Sequence, residues 1–179
     1  MIVCLINVLT ISRIFLAIII FILLSIGNNY FLALILFFLA GISDYFDGYF
    51  ARRYNASSQL GEILDPIADK ILVVFLLIGL SVTLNSFLIA TLSSFIIARE
   101  IGVSALRDYS SRNNKSHKTK VTYLAKIKTS VQLFSIGLYL FALAFSFNLL
   151  IVIGDIFLII ATLITLYTGY EYTLNVFKK

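Results

Sequence analysis

Four aspartates lie in the stretch Ser43–Lys70, SDYFDGYFARRYNASSQLGEILDPIADK, of a chain that is otherwise mostly apolar. Asp44 and Asp47 are spaced i, i+3, and Asp65 and Asp69 are spaced i, i+4, so on helices each pair shares one face. A carboxylate at the centre of a membrane helix costs about 2.5–3.5 kcal/mol, and four together also repel one another. Since oxygen ligands suit Mg²⁺ or Mn²⁺, the cluster predicts a divalent-cation site, and four carboxylates leave room for two ions.

Small residues and an arginine accompany the first pair of acids. Gly48 and Ala51 continue the i, i+3, i+4, i+7 face of Asp44 and Asp47, where small side chains leave space for a ligand. Arg52 follows and can hold a phosphate. Metal ligands beside a phosphate-binding group predict a phosphorylated or nucleotide substrate.

The composition predicts a membrane protein with one domain, residues 1–179. The chain is 60% hydrophobic and 13% charged, whereas soluble domains carry about 25% charged residues. Its 179 residues suffice for five or six membrane spans and leave no room for a soluble domain. One cysteine and one histidine argue against structural zinc. The net charge of +5 lies in connections between apolar runs, which favours anionic lipid headgroups over nucleic acid as its partner.

The apolar runs predict an all-α integral membrane protein with six transmembrane helices. The predicted spans are Ile11–Ile26, Tyr30–Phe50, Ile63–Val82, Ser86–Leu106, Leu124–Phe147 and Leu149–Tyr170. With six spans every basic connection falls on one side, so the positive-inside rule places both termini in the cytoplasm; five spans would split the basic segments. Residues 1–12 are predicted to lie along the membrane interface.

A cation channel or transporter is an alternative to an enzyme. It predicts acidic residues distributed through the depth of the membrane. The four aspartates instead fall at the cytoplasmic ends of the second and third predicted spans, which favours a catalytic metal site.

The pattern Asp44-x2-Asp47-Gly48-x2-Ala51-Arg52-x8-Gly61-x3-Asp65-x3-Asp69 resembles the signature of the CDP-alcohol phosphatidyltransferases. The resemblance implies transfer of a phosphatidyl or similar group from a CDP-linked lipid to an alcohol, with release of CMP. It implies that Asp44, Asp47 and Asp65 bind one metal ion and that Asp44, Asp65 and Asp69 bind a second. It also implies that Asp69 is the base for the acceptor hydroxyl.

Further roles are implied by the same resemblance. The segment Asn7-Val8-Leu9-Thr10, followed by Arg13, is similar to the nucleotide-contacting segment of the family. The residues expected to line the CDP-diacylglycerol site are Asn7, Val8, Leu9, Thr10, Gly48, Ala51, Arg52 and Ser58. A homodimer in a bacterial-type inner membrane, with its active site facing the cytoplasm, is also implied.

Two local segments concern the acceptor. AREIGVSALR, from Ala98, and AKIKTSVQ, from Ala125, resemble segments of the phosphatidylglycerophosphate synthases within this family. These enzymes use glycerol 3-phosphate, whose dianion needs a basic pocket. The residues expected to bind the acceptor phosphate are Arg99, Arg107, Lys126 and Lys128. A cardiolipin synthase of the same fold, with phosphatidylglycerol as acceptor, is the nearest alternative, and an inactive scaffold is disfavoured by the intact signature.

Overall fold

The computed structural model describes residues 2–54, 59–112 and 123–177, with the side chains of 7–49, 53–54, 61, 63–112 and 127–177. The described residues form six long helices. In chain order they are α1 Ile2–Ile22, continued by a π-helical turn Leu23–Gly27, α2 Tyr30–Tyr54, α3 Gln59–Thr83, α4 Phe87–Arg112, α5 Tyr123–Phe145 and α6 Asn148–Phe177. The all-α prediction is confirmed for this part of the chain.

Five of the described helices are long and apolar enough to cross a membrane. Their apolar spans are Asn7–Gly27, Tyr30–Tyr49, Phe87–Arg112, Ile127–Phe145 and Asn148–Phe177. The helix α3 is not among them, so the sixth span stays a prediction, as does the orientation of the termini. Residues 2–12 are the first part of the continuous helix α1, and their predicted place at the membrane interface stays a prediction.

Three short connections turn the chain back at the end of the bundle away from the aspartates. Each contains one residue in the left-handed region, namely Asn28 (φ 46°), Asn85 (φ 45°) and Ser146 (φ 59°). Asparagine tolerates this conformation and often ends a helix, so the polar residues between the apolar runs specify tight turns here. The other two connections, residues 55–58 and 113–122, lie outside the described residues.

The helices that carry the four aspartates, α2 and α3, are held together by α1 and α5, on which both of them pack. α1 packs on α2 and α3, α4 packs on α3 and α6, and α5 packs on α2, α3 and α6. Buried apolar side chains such as Ile20, Leu76 and Leu77 fill the space between them. This packing holds the starts of α1 and α3 and the end of α2 at one end of the bundle.

Close packing and a hydrogen bond fix α6 against α5. A Cβ atom at Gly154 would lie 2.9 Å from Cε1 of the buried Tyr139, so only glycine leaves room for this ring. The Tyr139 hydroxyl donates to Asp155 Oδ1 at 2.6 Å. Small residues and interhelical hydrogen bonds are the interactions that hold helices together in lipid, where hydrophobic burial gives little driving force.

Candidate active site

The acidic cluster consists of Asp44 and Asp47 on α2 and Asp65 and Asp69 on α3. Each pair is one helical turn apart, and the packing of α1 between the two helices brings all four carboxylates around one point. Asp47 is 3% exposed, whereas the other three side chains are about half exposed. The cluster therefore has a buried floor and an open side.

A single guanidinium, that of Arg13 on α1, links the four carboxylates. Arg13 Nη1 donates to Asp44 Oδ1 and to Asp69 Oδ1, each at 2.6 Å. Arg13 Nη2 donates to Asp47 Oδ2 at 2.9 Å and lies 3.5 Å from Asp65 Oδ1. The side chain is 1% exposed, so its charge is satisfied almost wholly by these oxygens.

Thr10 lies one turn before Arg13 on α1 and is fully buried. Its hydroxyl donates to Asp65 Oδ1 at 2.7 Å and lies 3.4 Å from Asp47 Oδ2. The sequence assigned Thr10 to the nucleotide-contacting segment and assigned Arg13 no role of its own. The available signal was a lone basic residue inside an apolar run, on the same helix face as a threonine.

The donor atoms of the cluster fit a divalent cation. They are carboxylate oxygens, the ligands that Mg²⁺ and Mn²⁺ prefer. Asp47 Oδ1 is buried and has no hydrogen-bond partner among the described residues, which leaves one oxygen ready for a ligand. Among the described residues, no group of three acidic, histidine or cysteine side chains already has metal-ligand geometry. The carboxylates are instead spaced around the guanidinium, which is larger than a metal ion.

A cavity of about 430 Å³ opens beside the cluster, between α3, α4 and α5. Apolar residues such as Val73 and Ile96 line its inner part. Its charged lining comprises Asp69, Lys70, Arg99, Glu100, Arg107 and Lys128. The excess of basic groups suits an anionic ligand, and Asp69 belongs to both the cluster and this basic cavity.

Arg99 is anchored to α6 as well as facing the basic cavity. Its Nε donates to the Thr165 carbonyl at 3.0 Å, and its Nη2 donates to Thr168 Oγ1 at 2.8 Å. A Cβ atom at Gly169 would lie 2.9 Å from Arg99 Cγ, so this glycine makes room for the arginine stem. Arg99 thus joins α4 to α6. Its Nη1 also donates to Glu100 Oε1 at 3.2 Å, so only the N–H groups outside these bonds can reach a ligand.

The other basic groups of the cavity are held by neighbouring side chains. Lys128 forms an ion pair with Glu100. Arg107 Nη2 donates to the Tyr172 hydroxyl at 3.0 Å, and its guanidinium lies 5.2 Å from the centre of the Tyr172 ring. Lys70 and Glu100 were not predicted as site residues, because their side of α3 and α4 becomes evident only when the helices pack.

A second, apolar cavity of about 330 Å³ adjoins the first, and the two share Asp69, Val73 and Thr129 in their linings. Phe37, Phe38 and Leu133 contribute to its walls, and Arg13, Asp44 and Asp69 reach it at its polar end. Asp69 is therefore shared by a basic and an apolar cavity. This arrangement can place an anionic ligand and the polar end of an apolar ligand on either side of one carboxylate.

The remaining predicted residues are distributed around the cluster. Asn7, Val8 and Leu9 lie on α1 before Thr10, with Val8 exposed. Gly48 is half-buried on α2, next to Asp47. Ser58 lies outside the described residues. The helices α2 and α5 include three further predicted residues whose side chains are not among those described, Ala51, Arg52 and Lys126.

Residues 3–167 match the family model described as CDP-alcohol phosphatidyltransferase. The chain is 40% identical over 169 residues to a protein of Rickettsia typhi, with 93% of each chain covered. It is similar at 40% identity to a protein of Rickettsia prowazekii, covering 93% of this chain and 91% of that one. A Blochmanniella floridana protein is 39% identical over 140 residues, covering 78% and 72% of the two chains. Each relative is named CDP-diacylglycerol–glycerol-3-phosphate 3-phosphatidyltransferase.

Proposed function

Because the chain belongs to the CDP-alcohol phosphatidyltransferase family, we propose that it transfers the phosphatidyl group of CDP-diacylglycerol to sn-glycerol 3-phosphate. The products are phosphatidylglycerophosphate and CMP. The observation that carries this proposal is the convergence of four family-signature aspartates where a basic and an apolar cavity meet, with Asp69 in the lining of both. The names of the similar proteins support the same donor and acceptor.

The acidic cluster is the proposed metal centre. Divalent metals are typical of the family, and among these carboxylates they would neutralise the donor pyrophosphate and the departing CMP. Asp44, Asp47 and Asp65 are the proposed ligands of one Mg²⁺ or Mn²⁺ ion, and Asp44, Asp65 and Asp69 those of a second. The unpartnered Asp47 Oδ1 supports this assignment, since a buried carboxylate oxygen without a partner is costly unless a ligand binds it.

Asp69 is the proposed catalytic base. Its side chain is about half exposed and borders the basic cavity, so a hydroxyl of a ligand bound there can reach it. The acceptor oxygen attacks the phosphatidyl phosphorus, the bond from that phosphorus to the CMP oxygen breaks, and the hydroxyl proton passes to the Asp69 carboxylate. Holding both substrates beside one carboxylate supplies the positioning that such a transfer requires.

The basic cavity is the proposed acceptor site. Arg107 and Lys128 offer charged donors to the phosphate of glycerol 3-phosphate. Arg99 offers the N–H groups that neither α6 nor Glu100 uses. Lys126 is proposed to join them from the first turns of α5. A volume of about 430 Å³ falls within the range of small-ligand pockets, roughly 300–1,000 Å³.

The donor is proposed to bind on the apolar side of the cluster. The glycerol end of its acyl chains would lie at the apolar cavity walled by Phe37 and Leu133, which brings its pyrophosphate to the acidic cluster. The residues proposed to line the nucleotide and pyrophosphate part are Asn7, Val8, Leu9, Thr10, Gly48, Ala51, Arg52 and Ser58. Thr10 would act partly through Asp65, whose carboxylate its hydroxyl already contacts.

The apolar helices are those of a multi-pass membrane protein. We place α3 as a sixth span, both termini in the cytoplasm, and the acidic cluster at the cytoplasmic face of a bacterial inner membrane. The basic residues of the connections support this orientation. A homodimer is proposed from the family resemblance.

An acceptor screen tests the proposed function. Purified protein with CDP-diacylglycerol and Mg²⁺ is expected to release CMP when glycerol 3-phosphate is added and to move a glycerol label into lipid. CMP release with phosphatidylglycerol alone would overturn the acceptor assignment in favour of a cardiolipin synthase. Ion flux in liposomes without CMP release from any acceptor would overturn the enzyme assignment.

A further inference from the structure

Arg13 occupies the point toward which the four carboxylates of the acidic cluster are directed. Its Nη1 contacts Asp44 Oδ1 and Asp69 Oδ1 at 2.6 Å, and its Nη2 contacts Asp47 Oδ2 at 2.9 Å. These are oxygens of the aspartates proposed to bind metal. A guanidinium and a cation cannot both hold the same oxygen atoms at full strength, because each needs their lone pairs.

The spacing of the oxygens is that of a guanidinium complex. Nitrogen–oxygen distances around Arg13 are 2.6–3.5 Å, whereas Mg²⁺ requires oxygens at about 2.0–2.1 Å. Binding a cation therefore requires the carboxylates to draw closer and to leave the guanidinium. One guanidinium charge also faces four carboxylates, so the cluster keeps an excess of negative charge that attracts a cation.

The arginine itself is incompletely satisfied. Arg13 Nε is buried and has no hydrogen-bond partner among the described residues. The side chain is 1% exposed, so water does not replace that partner freely. The four carboxylates thus hold the guanidinium in place although its buried Nε–H group is unpaired, which costs free energy. A cation that binds these oxygens releases Arg13 from this unfavourable position.

We propose that Arg13 is a positioning residue that gathers the four carboxylates before the metal binds and competes with the metal for their oxygens. The proposal rests on the proposed function in placing the divalent cation among these aspartates. In the metal-free protein Arg13 limits carboxylate repulsion and keeps α1, α2 and α3 together. Metal loading transfers the oxygens from the guanidinium to the cation, so the affinity for metal is set partly by the strength of the Arg13 contacts.

Mn²⁺ binding to the full-length protein in detergent tests this role without an activity assay. The free Mn²⁺ signal in electron paramagnetic resonance gives the dissociation constant. Arg13→Gln is expected to bind Mn²⁺ at least tenfold more tightly than the wild type, because the competitor is gone. The metal-free Arg13→Gln protein is also expected to melt at a lower temperature than the metal-free wild type, with a smaller difference when both are saturated with Mn²⁺.

A purely structural arginine predicts the opposite sign. If Arg13 only shaped the site, its loss would leave Mn²⁺ affinity unchanged or weaken it, and either result overturns the proposal. Arg13→Lys guards against a variant that does not fold, because one ammonium keeps the charge but cannot bridge all four acids. Its Mn²⁺ affinity is expected to lie between those of the wild type and Arg13→Gln. A Mn²⁺ affinity no tighter than that of the wild type again contradicts the proposal.

The matched control is Arg112→Gln, which removes an exposed arginine charge at the end of α4, where it pairs with Asp108. Its Mn²⁺ affinity is expected to equal that of the wild type. If Arg112→Gln bound Mn²⁺ as much more tightly as Arg13→Gln does, the effect would come from net charge alone and the proposal would be overturned. Tight Mn²⁺ binding by the wild type with no effect of Arg13→Gln would refute the competition alone. Absence of Mn²⁺ binding in every variant would refute the proposed metal centre and the competition together.

Discussion

Replacing Asp69 by asparagine is expected to abolish turnover while leaving CDP-diacylglycerol binding largely in place. The carboxylate borders both the basic and the apolar cavity, and it is the group that we propose to take a proton from the acceptor hydroxyl. Asparagine keeps the shape but cannot accept that proton. A positioned general base contributes about 10²–10⁴-fold to the rate, and the loss of kcat should be of this order. Single-turnover CMP release measures it.

The Asp69→Asn experiment needs one control and one companion measurement. Asp108→Asn removes an exposed carboxylate on α4, outside both cavities, and is expected to turn over like the wild type. Donor binding, measured directly, separates a lost base from a lost substrate site. Mn²⁺ binding separates a lost base from a lost metal ligand, because Asp69 is also a proposed ligand of the second ion. Wild-type rates in Asp69→Asn would remove its role as the base and would leave the rest of the acidic cluster as metal ligands only.

Replacing Arg107 by alanine is expected to raise the KM for glycerol 3-phosphate by about 10- to 100-fold, because a hydrogen bond to a charged group contributes about 1.5–3 kcal/mol. The KM for CDP-diacylglycerol should change much less. Arg107 lines the basic cavity and is held there by the hydroxyl and the ring of Tyr172. Steady-state kinetics with each substrate varied in turn measure the two constants.

Arg112→Ala is the matched control for Arg107. Arg112 lies five residues further along α4, is 77% exposed and pairs with Asp108 rather than lining the cavity. Both arginines satisfy the positive-inside rule equally, so a topological role predicts the same small effect for the two variants. An unchanged KM for glycerol 3-phosphate in Arg107→Ala would mean that Arg107 serves only membrane topology. Binding of the acceptor phosphate would then be assigned to the lysines of the cavity.

The sequence predicted the number of helices found among the described residues, because a polar segment separates each apolar run from the next. It placed several helix ends too early or too late, because apolar runs mark only the part of a helix suited to lipid. α3 begins at Gln59 rather than Ile63, and α6 continues to Phe177 rather than ending at Tyr170. The residues of those extra turns are too polar for a span defined by hydropathy to include them, although their backbone is helical.

The meeting of the four aspartates could be predicted because helical spacing fixes which residues share a face. The place of Arg13 could not, since it depends on how α1 packs against α2 and α3. The same limit applies to Glu100, whose contact with Lys128 joins α4 to α5. Arg99 was predicted in the acceptor site, but its anchoring to Thr165 and Thr168 on α6 required the fold.

Metal dependence of the transfer reaction tests the central claim most directly, namely that the acidic cluster is a divalent-cation centre for phosphatidyl transfer. Protein freed of metal by chelation is incubated with CDP-diacylglycerol and labelled glycerol 3-phosphate, and Mg²⁺ is then titrated in. We expect no labelled lipid without the cation, and on its addition labelled phosphatidylglycerophosphate and CMP in equal amounts. Full-rate transfer in excess chelator would contradict the account.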